Sequence, residues 1–211
     1  MVQLQHKHTL LFIGDSITDA GQREYFGANL GQGYVNMIAG HLYRQYIPLQ
    51  LNILNQGVGG DKLTDLVTRW QVDCLDLNPD IVTIQIGIND IWHRLSAEIP
   101  YTESILELFK ENYGYLLGTL KEREIEIILI EPYVLPFPED RSQWRPYVDK
   151  MIQAVSEMAD EYGATLVKLD DALNQAGDNL GYEAITGADG VHPTSLGHAF
   201  IADQWLRYTG L

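Results

Sequence analysis

Only one of the 211 residues is a cysteine, Cys74, so no internal disulfide can brace the chain and a reducing compartment suits it. Basic side chains are scarce as well: 14 Lys and Arg stand against 29 Asp and Glu, a formal net charge of −15. A surface of that sign repels phosphate backbones and anionic headgroups, so neither nucleic acid nor a membrane is an expected partner. No apolar run approaches the ~18 residues of a spanning helix. The run from Thr9 to Ile13 halts at Gly14-Asp15, too soon for a secretory signal and without a small-residue cleavage site. The expected location is the cytoplasm.

What is present is ordinary for a globular enzyme-sized chain: 45% apolar and 20% charged residues. The length suits one sizeable core, and no composition shift marks a linker, so residues 1–211 are expected to form a single domain. Five nearly continuous apolar runs, Thr9–Ile13, Leu51–Asn55, Ile81–Ile86, Ile125–Ile130 and Thr165–Leu169, look like strands buried on both faces of a parallel sheet. Helical spacing lies between them. It joins Leu63, Leu66, Val67, Trp70, Cys74 and Leu77, then Ile105, Leu108, Phe109, Leu116 and Leu120, then Val148 through Tyr162. Cys74 falls on an apolar stripe and reads as core. A last helix is expected to open at Pro193. The alternation predicts an α/β fold, doubly wound around a parallel sheet of order 2-1-3-4-5, with ligands bound beyond the carboxyl ends of the strands. Two long loops, Thr18 to Gly33 and Glu131 to Arg145, are expected to wall a pocket.

Four short segments supply the chemistry: Gly14-Asp15-Ser16-Ile17-Thr18, Gly57-Val58-Gly59-Gly60-Asp61, Gly87-Ile88-Asn89-Asp90 and Asp189-Gly190-Val191-His192. Three of them follow directly on a predicted strand. Ser16 is placed to raise a hydroxyl above the sheet, although Gly-Asp-Ser is also good helix-capping chemistry. A serine hydroxyl needs a base to become a nucleophile. Of six histidines, only His192 has a carboxylate, Asp189, three residues earlier on a glycine-containing segment that can fold back onto Nδ1. Asp-Gly and His-Pro also suit a turn and a cap. Gly60 can offer a backbone N–H at close range, Asn89 a side-chain N–H and Ser16 its own amide. Fixed donors of this kind stabilise the oxyanion of acyl transfer. The residue two places after Ser16 is Thr18, so the Gly-x-Ser-x-Gly elbow of α/β-hydrolases is missing. Nor does Gly57-Val58-Gly59-Gly60 carry the Lys-Ser/Thr of a phosphate-binding loop, which argues against a nucleotide domain.

With these motifs in this order, nearly the whole chain resembles the SGNH hydrolase (GDSL esterase/lipase) family. The resemblance implies a three-layer α/β/α sandwich with a flavodoxin-like, five-stranded parallel sheet, and no cofactor or metal. It implies Ser16 as nucleophile, Asp189 and His192 as its acid–base pair, and Ser16, Gly60 and Asn89 as the oxyanion hole. Leu11 through Asp19, Gly31-Gln32-Gly33-Tyr34-Val35, Gly87 through Trp92 and Val191-His192-Pro193 are similar to intracellular bacterial acetylxylan esterases, which form homo-oligomers and remove acetyl groups from xylan fragments. The expected activity is therefore hydrolysis of short acyl esters, foremost O-acetyl groups on carbohydrate, with a small-molecule ester as the partner. A broad esterase, thioesterase or lysophospholipase is the alternative enzyme; a sugar-binding protein without turnover is the alternative of another class. That subgroup has an aromatic just before the triad aspartate, whereas this chain has Ala188. Trp92, Tyr182, Tyr133 and Trp144 are candidates to replace it. Asp15, Trp92, Tyr182 and Val191 are the expected substrate-binding residues.

Overall fold

In the computed structural model, which describes residues 1–24 and 29–211, the apolar runs become five strands: β1 (Thr9–Gly14), β2 (Asn52–Gly57), β3 (Ile81–Gln85), β4 (Glu126–Ile130) and β5 (Thr165–Val167). All pairings are parallel and the order is β2-β1-β3-β4-β5. Strands covered on both faces need apolar side chains on both, which is why Leu10, Leu11, Phe12 and Ile13 are all buried. The predicted runs slip by a residue or two at their ends, because Leu51 and Ile125 are buried in the approaches to the sheet without joining its ladder.

Helices α3 (Leu63–Asp73), α5 (Glu103–Glu122) and α6 (Arg145–Tyr162) pack as one group, with α4 (Ile88–Ser96) against α6. Helices α2 (Tyr34–Gln45), α7 (Asp170–Leu180), α8 (Tyr182–Thr186) and α9 (Ser195–Thr209) form the other. The sheet lies between them in a three-layer α/β/α sandwich. Phe12 meets Tyr34 of α2 and Trp205 of α9, and the Trp205 indole donates to Thr83 Oγ1 on β3 (3.1 Å). On the opposite group, the Trp70 indole donates to Thr119 Oγ1 on α5 (2.9 Å). Among the described residues, no helix is long and apolar enough to cross a membrane.

Two local expectations change, and one about Cys74 holds. Helix α9 opens at Ser195 rather than Pro193, because Thr194 Oγ1 accepts from the Gly197 amide (3.2 Å) and so is the N-cap. The stretch after β1 is not loop throughout: Ser16–Asp19 is a short helix, α1, and Gln22–Glu24 a 3₁₀ turn. Residues 25–28 of that predicted loop lie outside the described residues. Cys74 is fully buried just past α3, and burial pushes its thiol up to about 12, so it is a core residue and not a nucleophile.

Candidate active site

The carboxyl ends of β1, β2 and β3 carry the first three motifs. Gly14 ends β1, where a Cβ would stand 2.0 Å from the Gln85 carbonyl oxygen. Asp15 follows in an extended conformation, and its Oδ1 accepts from the Ile17 amide (3.0 Å). Asp15 is therefore the cap of α1, which removes the capping alternative for Ser16 and makes it the first helical residue. The Ser16 hydroxyl stands free of the helix, half-buried at the rim of the sheet.

His192 reaches that hydroxyl from the last loop: Ser16 Oγ to His192 Nε2 is 2.8 Å. On the far side of the ring, Nδ1 is 2.6 Å from Asp189 Oδ2. The other Asp189 oxygen accepts from the amides of Val191 (2.9 Å) and His192 (2.8 Å), closing the segment into a tight turn. Burial pushes the Asp189 carboxyl up, but the hydrogen bonds from the His192 ring and the two amides outweigh it and hold the group below the usual carboxylate range. An ionised carboxylate can only accept, so Nδ1 carries the ring proton and Nε2 offers its lone pair to the Ser16 hydroxyl. His198, close by on α9, is a different case: burial lowers it to about 4 and its Nδ1 accepts from the Tyr34 amide (3.2 Å), so it stays neutral and structural.

The glycine loop after β2 flanks the hydroxyl. A Cβ on Gly57 would stand 2.1 Å from the Asp19 amide nitrogen, so glycine there lets α1 lie against the end of β2. A Cβ on Gly59 would come within 3.9 Å of the Ser16 Cβ, which places this turn beside the nucleophile candidate. Gly60 has φ +84°, a conformation that favours glycine. The amides of Ser16 and Gly60 donate to no acceptor among the described residues. Asn89 is the second residue of α4, entered through Gly87 at φ +132°. Its Nδ2 donates one hydrogen to the Asp61 carbonyl (3.1 Å), which fixes the amide and leaves its second N–H available. Ser16, His192 and Asp189 are thus joined in series, and Asn89 is tied to the loop that carries Gly60.

The substrate-binding expectations divide. Trp92 is beside the relay, its ring centroid 5.7 Å from that of His192. Asp15 is not a pocket wall: it is 1% exposed and occupied as the cap of α1. Val191 is fully buried too, with its carbonyl accepting from the Tyr133 hydroxyl. Tyr182 is turned away. Its ring covers Gly177 of α7, where a Cβ would meet it at 2.2 Å, and its hydroxyl donates to Asp178. A small residue one turn along a neighbouring helix offered it a better seat than the site did. Tyr133 is fully buried, and Trp144 packs against Trp92 at 5.4 Å.

Sequence reasoning missed Arg69. Its guanidinium donates to Asp61 Oδ2 (2.6 Å), the Gln56 carbonyl (2.8 Å), the Gly14 carbonyl (2.9 Å) and Asp73 Oδ2 (3.1 Å). It therefore locks the ends of β1 and β2 to the loop that carries Gly60. An arginine on the polar side of a helix gives no signal of this; only the fold aligns four acceptors around it.

Asp90, beside Asn89, was expected only as part of a motif. It is buried, accepts from the Leu63 amide (3.1 Å), and is pushed by burial from 3.8 up to about 7. The folded state therefore holds its proton more tightly than the unfolded chain does. The stability this contributes is complete below pH ~4 and is lost as pH rises through 7. An asparagine keeps the acceptor without the charge. Asp90→Asn should raise the melting temperature more at pH 8 than at pH 5, because the wild type goes on losing stability between the two and the variant does not. A gain of about 1 kcal/mol corresponds to ~2–4 °C at this size. Differential scanning calorimetry at the two pH values checks it; equal shifts at both would contradict the assignment.

A hydroxyl, imidazole and carboxylate in series beside unpaired N–H donors define the machinery of a serine hydrolase. Residues 12–200 match the GDSL-like lipase/acylhydrolase family, and the chain belongs to it. It is 35% identical to an acetylxylan esterase of Geobacillus stearothermophilus, over 95% of this chain and 93% of that protein. The crystal structure of Axe2, an acetylxylan esterase from Geobacillus stearothermophilus, superposes with a TM-score of 0.88 at 32% identity, covering 100% of this chain and 97% of that one. LAE5, an α/β-hydrolase enzyme from the metagenome of Lake Arreo, superposes with a TM-score of 0.87 at 28% identity, covering 98% and 97%. Catalytic mutants of Axe2 have been solved in which a serine, an aspartate or a histidine is replaced by alanine.

Proposed function

We propose that this chain is a serine esterase that removes short acyl groups, foremost acetyl from carbohydrate hydroxyls, through an acyl-enzyme. The observation that carries the reading is the unbroken contact Ser16 Oγ–His192 Nε2–Nδ1–Asp189 Oδ2, at 2.8 and 2.6 Å. Ser16 attacks the ester carbonyl while His192 Nε2 takes its proton. The imidazolium is held by Asp189 and returns the proton to the departing alcohol. Water then attacks the acyl-serine by the same route and releases the acid. The amides of Ser16 and Gly60 and the free N–H of Asn89 receive the oxyanion in each half-reaction. Asp189 and Arg69 do not touch the reacting atoms; they keep the base and the donor loop in place.

The acetyl-carbohydrate preference rests on 35% identity to an acetylxylan esterase along almost the whole chain. Trp92, half-buried against His192, supplies the aromatic wall that Ala188 cannot. The same kinship supports a homo-oligomer of single-domain subunits, and the lone buried cysteine supports a cytoplasmic location. The test is acetate release from acetylated xylo-oligosaccharides measured beside a panel of simple esters of increasing acyl length. We expect kcat/KM to be highest for acetyl and to fall at least tenfold by the octanoyl ester. A flat or rising series would overturn the short-acyl assignment and favour a broad esterase.

A further inference from the structure

The base of the relay sits on a segment without regular structure. Residues 189–192 lie between α8 and α9 and take part in no strand or helix. Their internal turn fixes Asp189 relative to His192, yet it does not fix either relative to Ser16, which belongs to the other end of the chain. What holds the segment is the proline-rich stretch after β4. The Tyr133 hydroxyl donates to the Val191 carbonyl, the Leu135 amide to the Gly190 carbonyl (3.2 Å), and Arg141 Nε to the Asp189 carbonyl (2.8 Å). Three successive carbonyls are thus engaged by three donors of one stretch. Gly190 shows how close the two run: a Cβ there would lie 1.8 Å from the Phe137 carbonyl oxygen.

Arg141 differs from the other two donors. Tyr133 and Leu135 are fully buried and kept in place by the core. Arg141 lies on the 3₁₀ turn Glu139–Trp144, near the surface, and is oriented by rings. Its guanidinium carbon is 4.2 Å from the Trp144 ring centroid and 5.2 Å from that of Trp92. The outer Nη1 donates to Asp140 Oδ2 (2.7 Å). Trp92 in turn abuts the His192 imidazole. The cluster therefore reaches the relay twice, once through the Asp189 backbone and once through the tilted ring contact of Trp92 with His192. A planar cation can stack and donate in its own plane at the same time. A lysine ammonium has no plane and no fixed donor direction.

We infer that Arg141, packed over the adjoining rings of Trp144 and Trp92, is a positioning residue that sets the distance from His192 to Ser16. This rests on the serine-esterase reading above. His192 serves acylation and deacylation alike, so misplacing it slows both half-reactions. The loss then falls on kcat and leaves KM near its native value. A residue that gripped substrate would instead raise KM, and one that merely stabilised the fold would lower the fraction of active enzyme without changing the rate of each active site.

The experiment compares wild type, Arg141→Met and Arg141→Lys, with active sites counted by titration. The readouts are kcat and KM for a p-nitrophenyl acetate substrate and the rate at which a fluorophosphonate labels Ser16. In both variants we expect kcat per active site to fall ~10–100-fold, as small misplacements of a reacting group do. KM should change less than threefold. Labelling should slow by the same factor as kcat but still reach completion. Arg141→Lys keeps the charge and is the gentler change, so it answers the question if Arg141→Met does not fold. A native kcat in Arg141→Lys, or a loss confined to KM, would overturn the proposal while leaving the esterase reading intact. Failure of the wild type itself to label at Ser16 would overturn both.

Discussion

Ser16→Ala should leave a folded protein whose ester hydrolysis falls by ~10³–10⁶ in kcat. The hydroxyl has one side-chain partner, His192, and the helix it begins is capped by Asp15, so little of the fold depends on it. What remains is the contribution of the oxyanion donors, which still bind a substrate that water attacks slowly. Steady-state kinetics beside a thermal melt separate the two effects. A variant that melts like wild type and retains more than a tenth of its kcat would take the nucleophile role away from Ser16.

Asp189→Asn should be nearly as damaging, with a loss on the order of 10⁴ in kcat, for a reason the geometry makes specific. An asparagine keeps an oxygen to accept from the amides of Val191 and His192, so the turn survives. Its nitrogen then takes the place of the oxygen that faces Nδ1, and an NH₂ group donates where a carboxylate accepted. The ring is forced into the tautomer with its proton on Nε2, which cannot accept from Ser16. Kinetics near neutral pH check this; a loss below tenfold would mean that the carboxylate does not set the tautomer.

The parts of this fold that repeat along the chain were legible in the sequence. Continuous apolar runs betrayed strands covered on both faces, and their order followed from the parallel α/β pattern. The triad candidates were legible because each lies in a short motif next to a strand end or a turn, where sequence spacing and spatial placement nearly coincide. The bracing was not. Arg69 and Arg141 draw their partners from positions 13, 55 and 48 residues away, and no periodicity encodes such meetings. Tyr182 was misplaced for a related reason: its seat is the missing side chain of Gly177, a cavity that exists only once α7 and α8 pack. Asp15 shows a subtler limit. The residue beside the nucleophile was expected to meet substrate, and instead its carboxylate is buried beneath the site, pushed up to about 7 by burial.

The direct test of the relay is to treat wild-type protein with a fluorophosphonate and map the adduct by peptide mass spectrometry. We expect one phosphonyl group per chain, on Ser16, whose hydroxyl is the one in contact with His192 Nε2. An adduct on any other residue, or none at all from a folded sample, would contradict the serine–histidine–aspartate account.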